Sequence, residues 1–428
     1  MLFLGVDFGT SAVKAMVIDG QGKIQAQVYH PLPKPLQVSF PDGIGYEQEP
    51  DIWWDGFINL LHLLKKQIHL ENIKAIAIDG TSGTVLPCNA SGTPLAKALM
   101  YNDSRANAEH QIIFNLCQKK NIKLGNVSGL ARILWLLNQP FAKEIVHFVN
   151  QADWIVGKLT GQFNHSDNNN VLKMAYDVVN NRWPKWLYEL NLDFQTLPQV
   201  HKPGKDIACI EQSIIRLGFS GDTRVVAGTT DSTAAIMASG AARVGEAITS
   251  LGSTMVMKVI SDFPINDEKN GIYSQPFGDN WLVGGSSNSG GAVLKYFFTQ
   301  SQIEHYSKQL IPERPTGFDY YPLIERGERF PFADADKLPE LEPRPDSEVL
   351  FFQALLEGMA NIEYLAYKKL NELGAPYPKS VVTMGGGAKN FGWSKIRAAQ
   401  LQVPLKNAAI EQAAYGTAKL ALSGYKNR

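Results

Sequence analysis

Each half of the chain contains an apolar run that stops at a short turn rich in glycine and hydroxyl residues and is followed at once by a second apolar run. In the first half these runs are 2–8 and 12–18, and in the second half they are 246–251 and 255–259. Two strands joined by so short a turn form a β-hairpin, whose exposed backbone N–H groups can hold a phosphate. The first hairpin also carries Asp7, and an aspartate beside a phosphate can bind the accompanying metal. The same residue types are typical of ordinary surface turns, so the hairpins alone do not decide between the two interpretations.

Further apolar strands end at glycine or acidic residues. Predicted strands cover 73–78, 224–226 and 381–384, and helices are predicted after the last two, at 233–237 and 392–401. This order of elements predicts an α/β fold, in which ligands lie beyond the carboxyl ends of the strands. Because the hairpin and the strand–glycine–helix unit occur in both halves, we expect two similar sheets that face a cleft.

Length and composition fit an ordinary globular protein of two domains. The 428 residues are 44% hydrophobic and 19% charged, and 41 acidic residues balance 41 lysines and arginines. A neutral chain without a basic block is a poor candidate for binding nucleic acid or an anionic membrane surface. We therefore expect no nucleic acid and no membrane as partner.

The cysteines and the first residues indicate the compartment. Cys88, Cys117 and Cys209 are far apart and form no C-x-x-C pair, which argues against a disulfide framework and a zinc site. The chain starts with a predicted strand instead of a basic region before an apolar segment, and its apolar runs are too short to span a bilayer. These features predict a cytoplasmic protein.

The segments between these units are predicted from local composition. A proline-rich loop is predicted at 31–41, a mainly helical scaffold at 106–195, a flexible glycine-rich loop at 284–291, an irregular proline-rich stretch at 312–345 and a long helix at 347–373. Within the scaffold, His165 and Asn168 to Asn170 are interpreted as a surface loop, because polar residues cluster there.

The glycine-containing turns do not match the common nucleotide motifs. No G-x-x-x-x-G-K-[ST] occurs, and no G-x-G-x-x-G follows the first strand. Two hairpin turns and two glycine-led helix starts could instead hold a triphosphate from both sides. One such turn is weak evidence, but four of them in this order strongly indicate phosphate binding.

These residues resemble the FGGY family of carbohydrate kinases, which lies within the actin-like and hexokinase-like ATPase superfamily. The matching segments are Asp7–Ser11 with Lys14 and Asp19, Asp103 with Arg105, Ala227–Asp231, Gly327–Phe332, Ala354–Gly358 and Gly385–Asn390. The chain departs from the family pattern in its short length, at Tyr101 and Asn102, where a tryptophan is usual, and at Arg132, where a lysine is expected.

The resemblance implies two RNase H-like domains of the actin and hexokinase type. Each would contain a mixed β-sheet flanked by helices, and the active site would lie in the cleft between the domains. The N-terminal domain, residues 1–238 plus 411–428, would bind sugar and phosphate. The C-terminal domain, residues 239–410, would bind the nucleotide.

The family's reaction assigns roles to individual residues. Phosphoryl transfer from ATP to a sugar hydroxyl needs charge neutralisation, positioning and a proton acceptor. Asp231 would be the general base, although an aspartate there could equally cap the following helix. Asp7 would hold Mg²⁺ through water, and Thr10 and Ser11 would contact the β- and γ-phosphates. The remaining nucleotide contacts would be Gly252, Ser253, Thr254, Gly386, Gly387 and Asn390, where a side chain at either of the last two glycines would block close approach. Lys14 lies within a predicted strand and is more typical of a solvated or structural lysine.

The sugar-binding residues are predicted from position. Ser82, within the turn 80–83, would contact the sugar, as would the base Asp231. Asp103 and Arg105 would bind sugar hydroxyls, or they would form a structural ion pair at a strand end; the sequence leaves both alternatives open.

The short length, the pair Thr81-Ser82 and the run Thr229-Thr230-Asp231-Ser232 resemble the compact ketopentose kinases of cyanobacteria and plants. This resemblance implies phosphorylation of D-ribulose to D-ribulose 5-phosphate. D-Xylulose or another small polyol is the alternative substrate, and glycerol is disfavoured because the tryptophan-rich substrate motif is missing at 101–105. A rival of another class is a non-catalytic sugar sensor or ATPase of the same fold, against which Asp231 argues. The partners would be the sugar and ATP, and the chain would be a monomer or a homodimer.

Overall fold

The computed structural model describes residues 1–41, 43–122 and 125–427. The chain divides into two compact units, of which the first contains Met1–Ala238 and Gln412–Arg428 and the second contains Ser239–Glu411. None of the helices in the described ranges combines the length and apolar character needed to cross a bilayer.

The elements of the first unit follow the predicted order of hairpin, helix and strands. Its strands are β1 (Leu2–Phe8), β2 (Ala12–Asp19), β3 (Ile24–Pro31), β4 (Leu36–Phe40), β5 (Gly43–Gln48), β6 (Ile73–Gly80), β7 (Leu86–Cys88), β8 (Ala98–Leu99), β9 (His147–Val149), β10 (His165–Asp167), β11 (Gln199–His201), β12 (Asp206–Cys209), β13 (Arg224–Val226) and β14 (Thr229–Thr230). Its helices up to the end of this segment are α1 (Asp51–Leu64), α2 (Asn107–Lys119), α3 (Ser128–Leu137), α4 (Gln151–Thr160), α5 (Gln212–Ile215) and α6 (Asp231–Ser239). Short 3₁₀ helices occur at Leu70–Asn72, Ala142–Glu144, Asn170–Met174, Lys185–Leu190 and Phe194–Thr196.

The second unit repeats this kind of arrangement. Its strands are β15 (Glu246–Leu251), β16 (Met255–Ser261), β17 (Tyr273–Phe277), β18 (Asn280–Ser287), β19 (Ser380–Met384) and β20 (Leu405–Asn407). Its helices are α7 (Gly291–Phe297), α8 (Gln300–Ser307), α9 (Glu348–Glu372) and α10 (Phe391–Leu401), with 3₁₀ helices at Glu268–Asn270 and Gly386–Lys389. The last helix, α11 (Ala413–Lys426), belongs to the first unit.

The main sheet of the first unit has the strand order β12-β13-β6-β1-β2-β3, and β14 also pairs with β6. Strands β1 to β3 are antiparallel, whereas β1, β13 and β14 each run parallel to β6. The carboxyl ends of β1, β6 and β14 therefore lie at one edge of the sheet.

Helices cover both faces of this sheet. Leu4, Val6 and Phe8 point to the face that packs against α1 and α4, and Phe3 points to the opposite face, where α11 packs. This alternation follows from the two-residue period of a strand. Helix α11 lies directly on β1, since a Cβ atom built at Gly5 would overlap its backbone.

The sheet of the second unit has the order β17-β18-β16-β15-β19-β20. The antiparallel pair β15 and β16 and the parallel pair β15 and β19 repeat the relations of β1 with β2 and of β1 with β6. The expectation of two similar sheets is confirmed. The long helix is confirmed as α9, which begins after Ser347, whose side chain accepts a hydrogen bond from the Leu350 N–H.

Two local predictions were wrong. The proline-rich segment 31–41 is not all loop, because Leu36–Phe40 is a strand that pairs with Gly43–Gln48. The glycine-rich segment 284–291 is not all loop either, because β18 continues to Ser287. Gly284 sits there because a Cβ atom would overlap the Met257 carbonyl on the neighbouring strand.

Candidate active site

Three aspartates lie at the carboxyl ends of neighbouring parallel strands in the first unit. Asp7 lies near the end of β1, Asp79 lies near the end of β6, and Asp231 follows β14 directly. The register pairs Asp7 with Asp79, and the same Asp79 with Thr229 of β14. The sequence indicated Asp7 and Asp231 but not Asp79, which directly follows the predicted strand 73–78.

Asp79 is the most buried of these acids, with no exposed surface. It accepts a hydrogen bond from the Thr417 hydroxyl on α11. Burial and the negative charges of Asp7 and Asp231 hold the pKa of Asp79 well above its ordinary value. The direction of this shift follows from the cost of a further negative charge in a buried site that already contains two acids.

Asp7 is buried but retains a cationic neighbour. Burial raises the pKa of Asp7, and the positive charge of Lys14 partly opposes this rise. Lys14 Nζ lies 3.8 Å from Asp7 Oδ2, and the lysine side chain is about half exposed. The half-exposed Lys14 thus lies on the solvent side of the buried Asp7.

Asp231 begins α6 and is only partly buried. Its Oδ1 accepts a hydrogen bond from the Ser232 N–H at 2.6 Å. Burial raises the pKa of Asp231 to about 6; the charge of Asp7 adds to the rise, while the Ser232 N–H and the charge of Lys173 oppose it. A carboxylate with a pKa just below neutral is well suited to accept a proton at neutral pH.

The turn of the first hairpin leaves two hydroxyls near the surface. Gly9 N donates to the Ala12 carbonyl at 3.0 Å, which closes the turn. Thr10 is half-buried and Ser11 is exposed. Their backbone is anchored, because the Thr10 carbonyl accepts a hydrogen bond from Gln48 Nε2 at 3.2 Å and the Ser11 carbonyl accepts one from Leu32 N at 2.8 Å.

The prediction of a surface loop at Asn168 to Asn170 was wrong, since all three asparagines are buried. Asp167 organises them by accepting hydrogen bonds from the N–H groups of Asn169 and Asn170. Asn169 Nδ2 donates to Thr229 Oγ1 at 3.0 Å, and Asn170 Nδ2 donates to the Thr229 carbonyl at 3.3 Å. This segment therefore supports β14 two residues before Asp231. His165 is partly buried, with Nδ1 at 2.9 Å from His201 Nε2.

The turn that contains Ser82 is fixed from both sides. Thr81 donates through its N–H and its hydroxyl to Gln151 Oε1 on α4. Lys173 Nζ donates to the Ser82 carbonyl at 2.9 Å, and Arg132 Nη1 donates to the Gly83 carbonyl at 2.8 Å. Ser82 itself is half-buried between two buried neighbours, and β14 pairs with Gly80 at the start of the turn.

Asp103 and Arg105 form a buried ion pair. Arg105 Nη2 lies 2.8 Å from Asp103 Oδ2, and the two side chains are only 2% and 0% exposed. Asp103 Oδ2 also accepts a hydrogen bond from Tyr46 N at 2.7 Å, and Arg105 Nη1 pairs with Glu47 at 2.8 Å. The structure favours the structural ion pair, because the polar atoms of both side chains are already satisfied within the protein.

In the second unit, the turn Gly252-Ser253-Thr254 joins β15 to β16. Gly252 and Ser253 are exposed, and Thr254 is half-buried. The carbonyls of this turn point into the protein: the Gly252 carbonyl accepts from Gly291 N at 2.9 Å, and the Ser253 carbonyl accepts from Ala292 N at 3.0 Å.

The triple glycine follows β19, which runs parallel to β15. Gly385 adopts a φ of +83°, a conformation that glycine reaches without strain. A Cβ atom at Gly387 would press on Leu251 and Trp393, whereas a Cβ atom at Gly386 would meet no protein atom within 4 Å. Protein packing therefore requires glycine at 387, while 386 faces open space.

Asn390 ends this glycine loop and caps α10. Its Oδ1 accepts a hydrogen bond from Trp393 N at 3.0 Å, and its Nδ2 donates to Ser307 Oγ at 2.9 Å. The loop thus leads directly into the amino end of a helix, where backbone N–H groups favour anionic or polar ligands.

Comparison with known proteins places these features in one family. The profile of the N-terminal domain of the FGGY family of carbohydrate kinases matches residues 2–238, and the profile of its C-terminal domain matches residues 247–425. The second match includes α11 up to Tyr425, although this helix packs in the first structural unit.

Curated relatives cover nearly the whole chain. A xylulose kinase of Staphylococcus xylosus is 23% identical over 451 residues, which cover 98% of this chain and 90% of that protein. A gluconokinase of Bacillus subtilis is 24% identical over 428 residues, which cover 92% of this chain and 81% of that protein.

Solved structures share the fold. A xylulose kinase from Rhodospirillum rubrum superposes with a TM-score of 0.85 at 20% identity, covering 99% of this chain and 90% of that one. A glycerol kinase from Plasmodium falciparum with ADP gives a TM-score of 0.84 at 18% identity, covering 100% and 90%. Two-domain α/β architecture, acidic strand ends and family profiles agree, and the chain therefore belongs to the FGGY family of carbohydrate kinases, enzymes that transfer a phosphoryl group from ATP to a sugar.

Proposed function

We propose that this sugar kinase phosphorylates a ketopentose, D-ribulose, at its 5-hydroxyl to give D-ribulose 5-phosphate. The observation that carries the kinase chemistry is the placement of Asp231, which follows β14 beside two further aspartates and whose pKa is raised by burial to about 6. The turn with Ser82 begins at Gly80, which pairs with Thr230, the residue before Asp231, and this supports our proposal that the Ser82 hydroxyl contacts the sugar.

In the proposed reaction, Asp231 acts as the general base. The sugar 5-hydroxyl gives its proton to the Asp231 carboxylate while its oxygen attacks the γ-phosphorus of ATP. The new oxygen–phosphorus bond forms as the bond to the bridging oxygen of ADP breaks, and ADP leaves. Thr10 and Ser11 orient the β- and γ-phosphates, while Gly252, Ser253 and Thr254 bind phosphate through exposed backbone and hydroxyl groups.

The acidic strand edge fits a divalent cation, with Mg²⁺ as our proposal. Burial raises the pKa of Asp7, so a cation would relieve the cost of its charge. Among the described residues, no three or more His, Cys, Asp or Glu side chains form a metal cage. This fits Mg²⁺, which keeps several waters and takes few protein carboxylates. When bound, it would neutralise the charge of the phosphates, and Asp7 would hold it through water.

The nucleotide base is assigned to the loop before α10. Gly386 leaves open space where a side chain would project, and Asn390 closes the loop as the cap of the helix. We propose that adenosine lies against Gly386, Gly387 and Asn390.

Substrate choice is tested by comparing kcat/KM for D-ribulose, D-xylulose, D-gluconate, pentitols and glycerol. D-Ribulose and D-xylulose differ only in the configuration at C3, and a misplaced hydroxyl leaves polar groups unpaired. We expect D-ribulose to be preferred over D-xylulose by about tenfold or more. Equal or better use of D-xylulose would replace D-ribulose by the alternative that the xylulose kinase relatives support.

The pH dependence of activity should follow Asp231. The base must be ionised, and burial raises its pKa to about 6, so the active form is lost as the pH falls through that value. We expect kcat/KM for the sugar to be level above about pH 7 and to fall about tenfold per pH unit below about pH 6. A profile that stays level down to about pH 4.5 would contradict the role of Asp231.

A further inference from the structure

The segment Gly327–Phe332 matches a family motif but has no role in the proposed reaction. Within it, Glu328 is only 3% exposed. Its carboxylate accepts hydrogen bonds from four donors: Ser287 Oγ at 2.7 Å, Asn288 N at 2.7 Å, Tyr321 Oη at 2.9 Å and Arg329 N at 2.8 Å. Charge-assisted hydrogen bonds of this kind are the stronger class, and their number fixes the carboxylate in place.

Two of these donors belong to the end of β18 and the residue that follows it. The side chain of Asn288 is also bonded to both neighbours of Glu328. Its Nδ2 donates to the Gly327 carbonyl at 2.9 Å, and its Oδ1 accepts from Arg329 Nε at 2.6 Å. Ser289 N donates to Ser287 Oγ at 3.0 Å, so the network of Glu328 continues along the chain.

The residues that follow are bonded to the turn 252–254. Met255 N donates to the Ser289 carbonyl at 2.8 Å, and Gly291 N and Ala292 N donate to the carbonyls of Gly252 and Ser253. Gly290 fits closely here, since a Cβ atom would lie 2.8 Å from the Ser253 carbonyl oxygen. The position of the turn is therefore set by residues 289–292, whose start is fixed by Glu328.

We infer that Glu328 is a positioning residue for the phosphate-binding turn 252–254. It holds Ser287 and Asn288 at the start of the segment. The N–H groups of Gly291 and Ala292 further along this segment hold the turn carbonyls inward, so that the exposed face of the turn is left for a phosphate. This inference rests on the proposed role of the turn in nucleotide binding. If Glu328 had a purely structural role, its loss would lower the stability of the fold and would weaken ligands with and without phosphates equally.

The test uses Glu328→Gln in the full chain and measures binding of Mg²⁺-ATP and of adenosine by calorimetry. The amide keeps the shape but loses the charge and presents an NH₂ group to donors, which disturbs the network. We expect ATP to bind about tenfold or more weakly, while adenosine, which has no phosphate, changes by less than about twofold. Equal weakening of both ligands, or of neither, would overturn the inference.

Two further variants serve as a matched control and as an alternative to Glu328→Gln. Glu357→Gln removes another carboxylate of the second unit, one that accepts hydrogen bonds from Thr316 and lies outside this network, and it should leave ATP affinity unchanged. If Glu328→Gln does not fold, Tyr321→Phe removes one donor and keeps the carboxylate, and it should weaken ATP about two- to fivefold without affecting adenosine. A wild-type chain that binds ATP no better than adenosine would refute the proposed role of the turn, whereas an undiminished phosphate preference in Glu328→Gln and Tyr321→Phe would refute only the role of Glu328.

Discussion

Asp231→Asn is expected to lower sugar-dependent ADP release by about 10²–10⁴-fold, the usual contribution of a general base. The amide oxygen can still accept the hydrogen bond from the Ser232 N–H, so the start of α6 is preserved. ATP affinity should therefore change by less than about threefold, because only the group that receives the proton is lost. A coupled assay of ADP release and calorimetric titration with ATP measure the two quantities.

The control for this variant is Asp222→Asn. Asp222 has an exposed side chain and pairs with Lys74 at 3.1 Å, so the same chemical change occurs away from the acidic strand edge. Its turnover should equal that of the wild type. If Asp231→Asn kept turnover within about fivefold of the wild type, Asp231 could not be the base.

Asp7→Asn is expected to raise the Mg²⁺ concentration needed for half-maximal activity by about 10–100-fold, the usual cost of losing a group that orients a metal's ligands. The reason is that an amide has no charge to attract the hydrated cation. Activity measured across a magnesium titration, with ATP saturating, gives this value directly.

The same variant should also shift the pH profile. The negative charge of Asp7 raises the pKa of Asp231, so its removal should move the acid limb of kcat/KM to lower pH. Asp55→Asn, an exposed acid on α1, serves as the control and should change neither property. An unchanged magnesium requirement in Asp7→Asn would remove Asp7 from the metal site.

The elements that the sequence predicted correctly are those with local signals. The hairpin strands at 2–8 and 12–18 and the long helix at 347–373 have apolar patterns and end residues that determine them without distant partners. The acid at the end of each strand was visible for Asp7 and Asp231 because glycine and hydroxyl residues accompany them.

The residues that the sequence missed depend on distant partners. The polar composition around Asn169 and Asn170 predicts a surface loop. Both residues are buried instead, with hydrogen bonds from their side chains to Thr229, some 60 residues away. Asp79 is buried through Thr417, which is contributed by the last helix of the chain. Polar composition gives no sign of such burial, because it depends on side-chain hydrogen bonds between segments far apart in the sequence.

The strand that extends through Gly284 was missed for a related reason. Glycine normally indicates flexibility, whereas here it permits close approach of the neighbouring strand. The ion pair of Asp103 and Arg105 could not be distinguished from a sugar site, because the sequence does not reveal that Glu47 and the Tyr46 N–H complete it.

The central claim is that this chain transfers a phosphoryl group from ATP to a ketopentose. The most direct test incubates the purified wild-type chain with ATP and Mg²⁺, with and without D-ribulose, and measures ADP together with sugar phosphate by mass spectrometry. The account predicts that D-ribulose raises ADP release well above the basal rate and that ADP and pentose phosphate form in equal amounts. The same incubation is repeated with D-xylulose, D-gluconate, pentitols and glycerol. If none of these sugars increased ADP release and no phosphorylated sugar formed, the result would contradict the claim and favour the non-catalytic sensor or ATPase.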